Sequence, residues 1–226
     1  MFKKIFAVWR RESLLNQALE CTEKMFELAA ENFRLAICGL TENLDTKKAN
    51  IYMTDREIND CEKSVRRKVL EHLTINPKQD LSSSLILITV VKDLERIGDY
   101  EKNIVELSYH HPKTLPRNVY TTELIEISKC LTDILIDAKR IFMEADLEKA
   151  KSYYAYYREV TQKTDGITEK ILEEKKISVR EAVVAALFSR YLKRISAHLA
   201  NILSTIINPF HLVGYGPDQQ KGEEIE

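Results

Sequence analysis

The segment Leu94-Glu-Arg-Ile-Gly-Asp-Tyr-Glu-Lys-Asn-Ile104 decides the fold of this chain, because a related segment follows 98 residues later. That second segment reads Leu192-Lys-Arg-Ile-Ser-Ala-His-Leu-Ala-Asn-Ile202 and keeps the Leu, Arg, Ile, Asn and Ile of the first. We attribute the shared apolar positions to equivalent packing, and the shared Arg and Asn to polar contacts between helices. Two copies of one structural unit are therefore expected.

The composition around these segments predicts helices throughout. Only six Gly and five Pro occur in 226 residues, and long stretches rich in Leu, Ile, Ala, Glu and Lys contain no turn signal. Ser178 and Glu181 have the spacing of a capping box, and we expect Asn76 to cap a helix that has Pro77 at its first position. The predicted helices cover residues 11–40, 46–73, 77–110, 119–144 and 147–176, with a sixth from 178 to before Pro209.

The predicted fold class is thus all-α, with six long helices in two tandem three-helix-bundle repeats. The break His111-Pro-Lys-Thr-Leu-Pro116 divides the chain into a first repeat, 1–110, and a second, 111–213. Residues 214–226 are expected to form a disordered tail. The first nine residues, with Trp9, form either a short amphipathic anchor or a turn that packs on the bundle.

Several function classes receive no support from the sequence. The formal net charge of −1 gives no general attraction to nucleic acid, and no apolar run reaches the length of a transmembrane helix. No nucleophile–base arrangement, glycine-rich phosphate loop or HExxH motif is present, so we do not expect an enzyme. The scattered cysteines are expected to be reduced, buried thiols of a cytoplasmic protein, namely Cys21, Cys38, Cys61 and Cys130.

Two acidic residues in the first copy of the repeated segment point to a cation. Glu95 and Asp99 lie four residues apart, so they share one helix face, where like charges repel each other. A bound metal ion would offset this repulsion, because hard cations prefer several carboxylate oxygens. The alternative is a solvated acidic face, or one that docks a basic partner.

A second acidic stripe lies on the preceding helix, at Asp55, Asn59 and Glu62. If Pro77 marks the turn between antiparallel helices, Asp55 and Asp99 are each 22 residues from it. Asn59 and Glu95 are each 18 residues from it, so the two pairs are expected at matching heights. We predict a divalent or trivalent metal site at Asp55, Asn59, Glu95 and Asp99, with Glu62 and Glu106 as outer ligands.

These segments resemble the PhoU family of phosphate-transport regulators. KDLERIGDYEKNI (92–104) is close to that family's LERIGDHxxNI signature, and Asp55-Arg-Glu-Ile-Asn59 resembles its DxxID segment. Asn76-Pro-Lys-Gln-Asp80-Leu81 resembles its P-x-x-DLR segment, with Ser82 in place of Arg. The resemblance implies surface metal sites, in some members iron or zinc clusters, whereas the residues alone also allow Mg, Ca or Mn. It further implies a cytoplasmic regulator that docks on a phosphate transporter or sensor kinase at the inner membrane face; self-association into a homo-oligomer is left open.

The second repeat departs from the family pattern. Lys193 and Ala197 replace the acidic pair, so we expect no metal there and a lysine ammonium in its place. Asp165 and Glu169 are interpreted as a solvated face. Four tyrosines within five residues cover more than one helix face, which makes them candidates for partner docking: Tyr153, Tyr154, Tyr156 and Tyr157.

Three functions are compared. The first is a metal-binding regulator or adaptor, and the second is a metal-free helical scaffold whose acidic patch docks a basic partner. The third is a carboxylate-metal hydrolase or oxidase, which normally has ExxH pairs on two helices. No such pair occurs in the acidic patch, which counts against the third function. The first function is the leading one.

Overall fold

The computed structural model describes residues 13–42, 48–78, 80–111 and 114–215. The first nine residues and most of the predicted tail lie outside this part of the chain. Six α-helices and one 3₁₀ turn, but no strand, occur among the described residues. The helices are α1 (Leu14–Glu42), α2 (Lys48–Ile75), α3 (Leu81–His110), α4 (Val119–Glu144), α5 (Leu147–Glu173) and α6 (Val179–Ile207), which confirms the predicted number and class of elements.

The helices pack as two groups of three. In the first group α1, α2 and α3 all contact one another, and in the second group α4, α5 and α6 do the same. The groups are joined by contacts of α1 with α4 and of α3 with α6. None of the helices in the described ranges is long and apolar enough to cross a membrane.

The repeated segments explain why α3 and α6 lie at the centre. Their shared apolar residues are completely buried, at Leu94, Ile97, Ile104, Leu192, Ile195 and Ile202. Truncating a buried Leu or Ile to Ala typically costs about 2–5 kcal/mol. The equivalent positions are buried alike in both repeats, as the sequence comparison predicted, and they all belong to one hydrophobic core.

Polar contacts fix how the two repeats meet. Arg194 donates from Nε to the Tyr100 hydroxyl at 3.0 Å. His198 Nδ1 lies 2.8 Å from Asp93 Oδ1, and its ring stacks on that of Tyr100. Of the two shared arginines, only Arg194 makes the contact between helices that we expected for both, whereas Arg96 bonds Asp99 on its own helix.

The predicted start of α3 is wrong. Asn76 does not cap this helix, since its N–H bonds the His72 carbonyl and closes the last turn of α2. Proline disfavours helical geometry in the residue before it, so Pro77 ends α2. Asp80 then adopts a left-handed conformation, with φ 57°, and its carbonyl accepts from the Ser84 N–H, so that α3 begins at Leu81. The predicted capping box of Ser178 and Glu181 is confirmed at the start of α6.

Gly98 allows α2 and α3 to approach closely. A Cβ atom built on Gly98 would lie 3.3 Å from Cδ1 of Ile58 on α2. These two residues lie 21 and 19 positions from Pro77, so the helices are offset by about two residues from the register assumed above. The offset arises because α3 begins at Leu81, four residues later than the sequence predicted.

This contact predicts a difference between two helical glycines. A Cβ atom at Gly166 in α5 would meet no atom within 4 Å. Gly98→Leu should lower the free energy of unfolding by about 1–3 kcal/mol, because the added side chain overlaps with Ile58. Gly166→Leu should leave it unchanged or raise it, since leucine favours helix over glycine. Urea unfolding of both variants checks this, and equal losses would contradict the close approach.

Candidate functional site

The structure brings the predicted acidic residues together on one face of the first repeat. Asp55, Asn59 and Glu62 lie on α2, and Glu95, Asp99 and Glu106 lie on α3. All six side chains are half-buried. The face that these six residues form is named the acidic face below.

Lys102 lies between two of these carboxylates. Its Nζ atom donates to Oδ1 of Asp55 and to Oδ1 of Asp99, both at 3.1 Å. The lysine side chain is only 24% exposed and that of Asp55 only 17%, so the contact is partly shielded from water. Burial alone lowers the pKa of Lys102, but the bonds to Asp99 and Asp55 outweigh this and raise it. Lys102 is therefore charged and supplies the cation that this face requires.

Arginines neutralise the neighbouring carboxylates. Arg96 Nη1 lies 3.2 Å from Asp99 Oδ2, and Arg96 Nε lies 3.5 Å from Glu95 Oε2. Arg66 Nη2 lies 2.7 Å from Oε1 of Glu62. Burial is the largest cause that raises the pKa of Glu95; Asp99 also raises it, and Arg96 partly counteracts them.

A cation from the chain itself, the Lys102 ammonium group, already lies on the acidic face. Across the described ranges, no three His, Cys, Asp or Glu side chains are grouped so that they could share an ion. Asp55 and Asp99 already accept hydrogen bonds from the Lys102 ammonium group. A metal ion at Asp55, Asn59, Glu95 and Asp99 would therefore have to displace Lys102, and this site stays a prediction.

Beside the acidic face lies a buried carboxyl group. Glu101 is completely buried, and neither of its carboxyl oxygens has a hydrogen-bond partner among the residues that the structure describes. Burial raises the pKa of Glu101 well above its ordinary value, and the nearby Asp55 carboxylate raises it further. Glu101 is therefore neutral over a wider pH range than an exposed glutamate. Neither Glu101 nor Lys102 was selected from the sequence, although Lys102 follows Asp99 by three residues on one helix face.

The second repeat has an ion pair at Lys193, the position equivalent to Glu95. Lys193 Nζ lies 2.6 Å from both carboxylate oxygens of Asp165. Asp165 therefore faces α6 rather than serving only as part of a solvated face. This position of Lys193 agrees with the expectation that its ammonium group takes the place of a metal ion in the second repeat.

The tyrosine cluster of α5 is less accessible than its sequence suggests. Tyr154 is buried and packs edge-on against the half-buried Tyr157, with 6.0 Å between ring centroids. Tyr153 and Tyr156 are half-buried, and the Tyr153 hydroxyl donates to Asp137 at 3.3 Å. Partner docking through this cluster stays a prediction, with little exposed ring surface to support it.

The buried Glu101 predicts a pH dependence of stability. In the unfolded chain this group ionises near its ordinary pKa of 4.5, whereas in the folded chain it keeps its proton to higher pH. Between these two pKa values the unfolded state binds fewer protons, so the free energy of unfolding falls as pH rises. Glu101→Gln should remove this fall and be more stable than wild type at pH 8 by roughly 1–3 kcal/mol.

Urea unfolding between pH 4 and pH 8 measures this effect. Glu106→Gln is the matched control, because Glu106 is half-buried and accepts from the Tyr52 hydroxyl at 3.2 Å. An identical pH slope in wild type and Glu101→Gln would show that Glu101 is ionised in the folded protein.

Known proteins share this architecture. The PhoU domain matches the chain twice, at residues 22–108 and 124–206, one match in each repeat. A phosphate-specific transport system accessory protein, PhoU homolog 1, of Thermotoga maritima is 26% identical over 81% of this chain and 82% of its own length. A PhoU homolog with the same accessory-protein name from Synechocystis is 26% identical over 86% of this chain and 90% of its own.

A solved structure shows the same fold. The crystal structure of PhoU from Pseudomonas aeruginosa superimposes with a TM-score of 0.77 at 19% identity, and covers 87% of this chain and 97% of that chain. The prediction of two tandem repeats is confirmed by the double domain match. The chain belongs to the PhoU family.

Proposed function

We propose that this protein is a regulator or adaptor of phosphate uptake and phosphate signalling. The observation that carries the proposal is the PhoU domain match in both repeats. The names of the two relatives support it, since both are accessory proteins of phosphate-specific transport and align over more than four fifths of each chain. The protein is proposed to act in the cytoplasm, on a phosphate transporter or sensor kinase at the inner membrane face.

Binding rather than catalysis is the proposed mode of action. The charged groups of the acidic face are used in ion pairs with Lys102, Arg96 and Arg66, and so serve structure rather than proton transfer. Such a bundle offers rigid helix faces to a partner, and contacts on rigid elements cost little ordering on binding.

Metal binding by the acidic face is proposed as an exchange with Lys102. The predicted ligands offer carboxylate and amide oxygens but no His or Cys, a donor set that favours hard cations such as Mg²⁺, Mn²⁺, Ca²⁺ or Fe³⁺ over softer ones. When bound, the ion would neutralise charge on the three carboxylates among the predicted ligands, as Lys102 does for two of them. The second repeat has only the Lys193–Asp165 pair at the equivalent place, so no metal is proposed there.

The alternative is a metal-free scaffold that docks a basic partner. The acidic face has five carboxylates, and three basic side chains bond four of them, which leaves a formal charge of −2. This residual charge gives a basic partner a weak attraction, which salt would screen. The regulator proposal does not depend on it.

Deleting the gene in its host tests the proposed function. Cells without the protein should take up phosphate at an altered rate, and should lose the normal response of phosphate-regulated genes to phosphate supply. Wild-type protein supplied in trans should restore both. Radiolabelled phosphate uptake and transcript levels at limiting and ample phosphate are the measurements.

Two charge-reversal variants separate the regulator from the scaffold. Glu62→Lys with Glu95→Lys reverses the acidic face, whereas Glu148→Lys, whose side chain is 86% exposed on α5, changes charge elsewhere. Loss of a basic partner with the first variant alone supports docking through the acidic face. In the deletion experiment, unaltered phosphate uptake and an unaltered response of phosphate-regulated genes would contradict a role in phosphate regulation.

A further inference from the structure

The structure brings together two cysteines that lie 40 positions apart in sequence. Cys21 on α1 has its Sγ atom 3.9 Å from Oγ of Ser64 on α2. One turn along α1, Lys24 forms an ion pair with Glu57 of α2. These two contacts fix the antiparallel register of α1 and α2, and Cys61 lies between Glu57 and Ser64. The register therefore places Cys61 opposite Cys21.

Both cysteines keep some exposure to solvent, since Cys21 and Cys61 are half-buried rather than buried. Burial raises the pKa of the Cys61 thiol, Cys21 raises it further, and the Lys24 ammonium group partly lowers it. The effect of Cys21 on the pKa of Cys61 agrees with the proximity that the register gives.

The other two cysteines lack this arrangement. Cys38 lies 17 residues farther along α1, about 25 Å from Cys21 at the rise of an α-helix. Cys130 is exposed on α4, in the second repeat, where Tyr156 bonds its thiol. The chain thus provides two internal control thiols, one half-buried and one exposed.

We propose that Cys21 and Cys61 form a redox-responsive dithiol pair that closes to an intramolecular disulfide. The oxidant is a low-molecular-weight disulfide such as oxidised glutathione. One cysteine thiolate attacks a glutathione sulfur, which forms a mixed disulfide and expels one glutathione thiolate. The second cysteine thiolate attacks the protein sulfur of that bond and expels the second glutathione. The two thiol protons pass to the two glutathione thiolates, so the protein is oxidised by two electrons and the glutathione is reduced.

The cross-link would act on the helix that carries half of the acidic face. α2 contributes Asp55, Asn59 and Glu62, and a covalent bond from Cys61 to α1 limits its movement away from the core. In a reducing compartment disulfide bonds are transient, which suits a reversible signal rather than a permanent structural cross-link. The inference rests on the geometry of α1 and α2 and does not need the proposed function.

Oxidation of the full-length, fully reduced protein tests the proposal. After incubation with oxidised glutathione, non-reducing digestion and mass spectrometry should reveal one peptide pair linked through Cys21 and Cys61. The Tm should rise over that of the reduced protein, because the cross-link restricts the unfolded chain, and dithiothreitol should reverse both changes.

Serine variants supply the controls. Cys61→Ser should abolish the cross-link and leave glutathione on Cys21, whereas Cys38→Ser with Cys130→Ser should keep the cross-link unchanged. Circular dichroism confirms that each variant is folded. The proposal is overturned if Cys21 and Cys61 stay free or carry only separate glutathione adducts in folded wild type, or if either pairs with Cys38 or Cys130.

Discussion

The contact of Lys102 with Asp55 and Asp99 is the interaction on which the acidic face depends. Gly98 lets α2 and α3 approach closely, and the Asp55 side chain on this face is only 17% exposed. Like charges in that setting repel, and leaving a partly buried charge unpaired is costly. A lysine that bonds both aspartates at 3.1 Å removes this repulsion and ties the two helices together.

The second repeat also has a lysine–aspartate pair between its second and third helices. There Lys193 occupies the position equivalent to Glu95, and it bonds Asp165 of the preceding helix. Each repeat thus places a lysine of its third helix against an aspartate of its second helix. The Asp165 side chain is 54% exposed, so this pair contributes about 1 kcal/mol or less, whereas the pair with Asp55 is better shielded. The repeats share a packing scheme, and their charged faces have diverged within it.

Much of this architecture could be predicted because it depends on local signals. Helix periodicity, proline breaks and the repeated segment were enough for six helices in two repeats. The start of α3 was misplaced because Pro77 suits both a helix start and a helix end, and only the bond from Asn76 to His72 decides between them. Lys102, Glu101 and the Cys21–Cys61 pair depend on interhelical register and on where a flexible side chain ends, which sequence spacing does not give.

Competition between Lys102 and a metal ion is the most direct test of how the acidic face works. Calorimetric titration of Mn²⁺ into chelator-treated wild type, Lys102→Met and Lys193→Met measures it. If the Lys102 ammonium occupies the cation position, Lys102→Met binds Mn²⁺ more tightly than wild type. Lys193→Met binds like wild type, because α6 has no acidic pair in place of Glu95 and Asp99. Equal affinity of wild type and Lys102→Met would contradict the assignment of Lys102 as the resident cation.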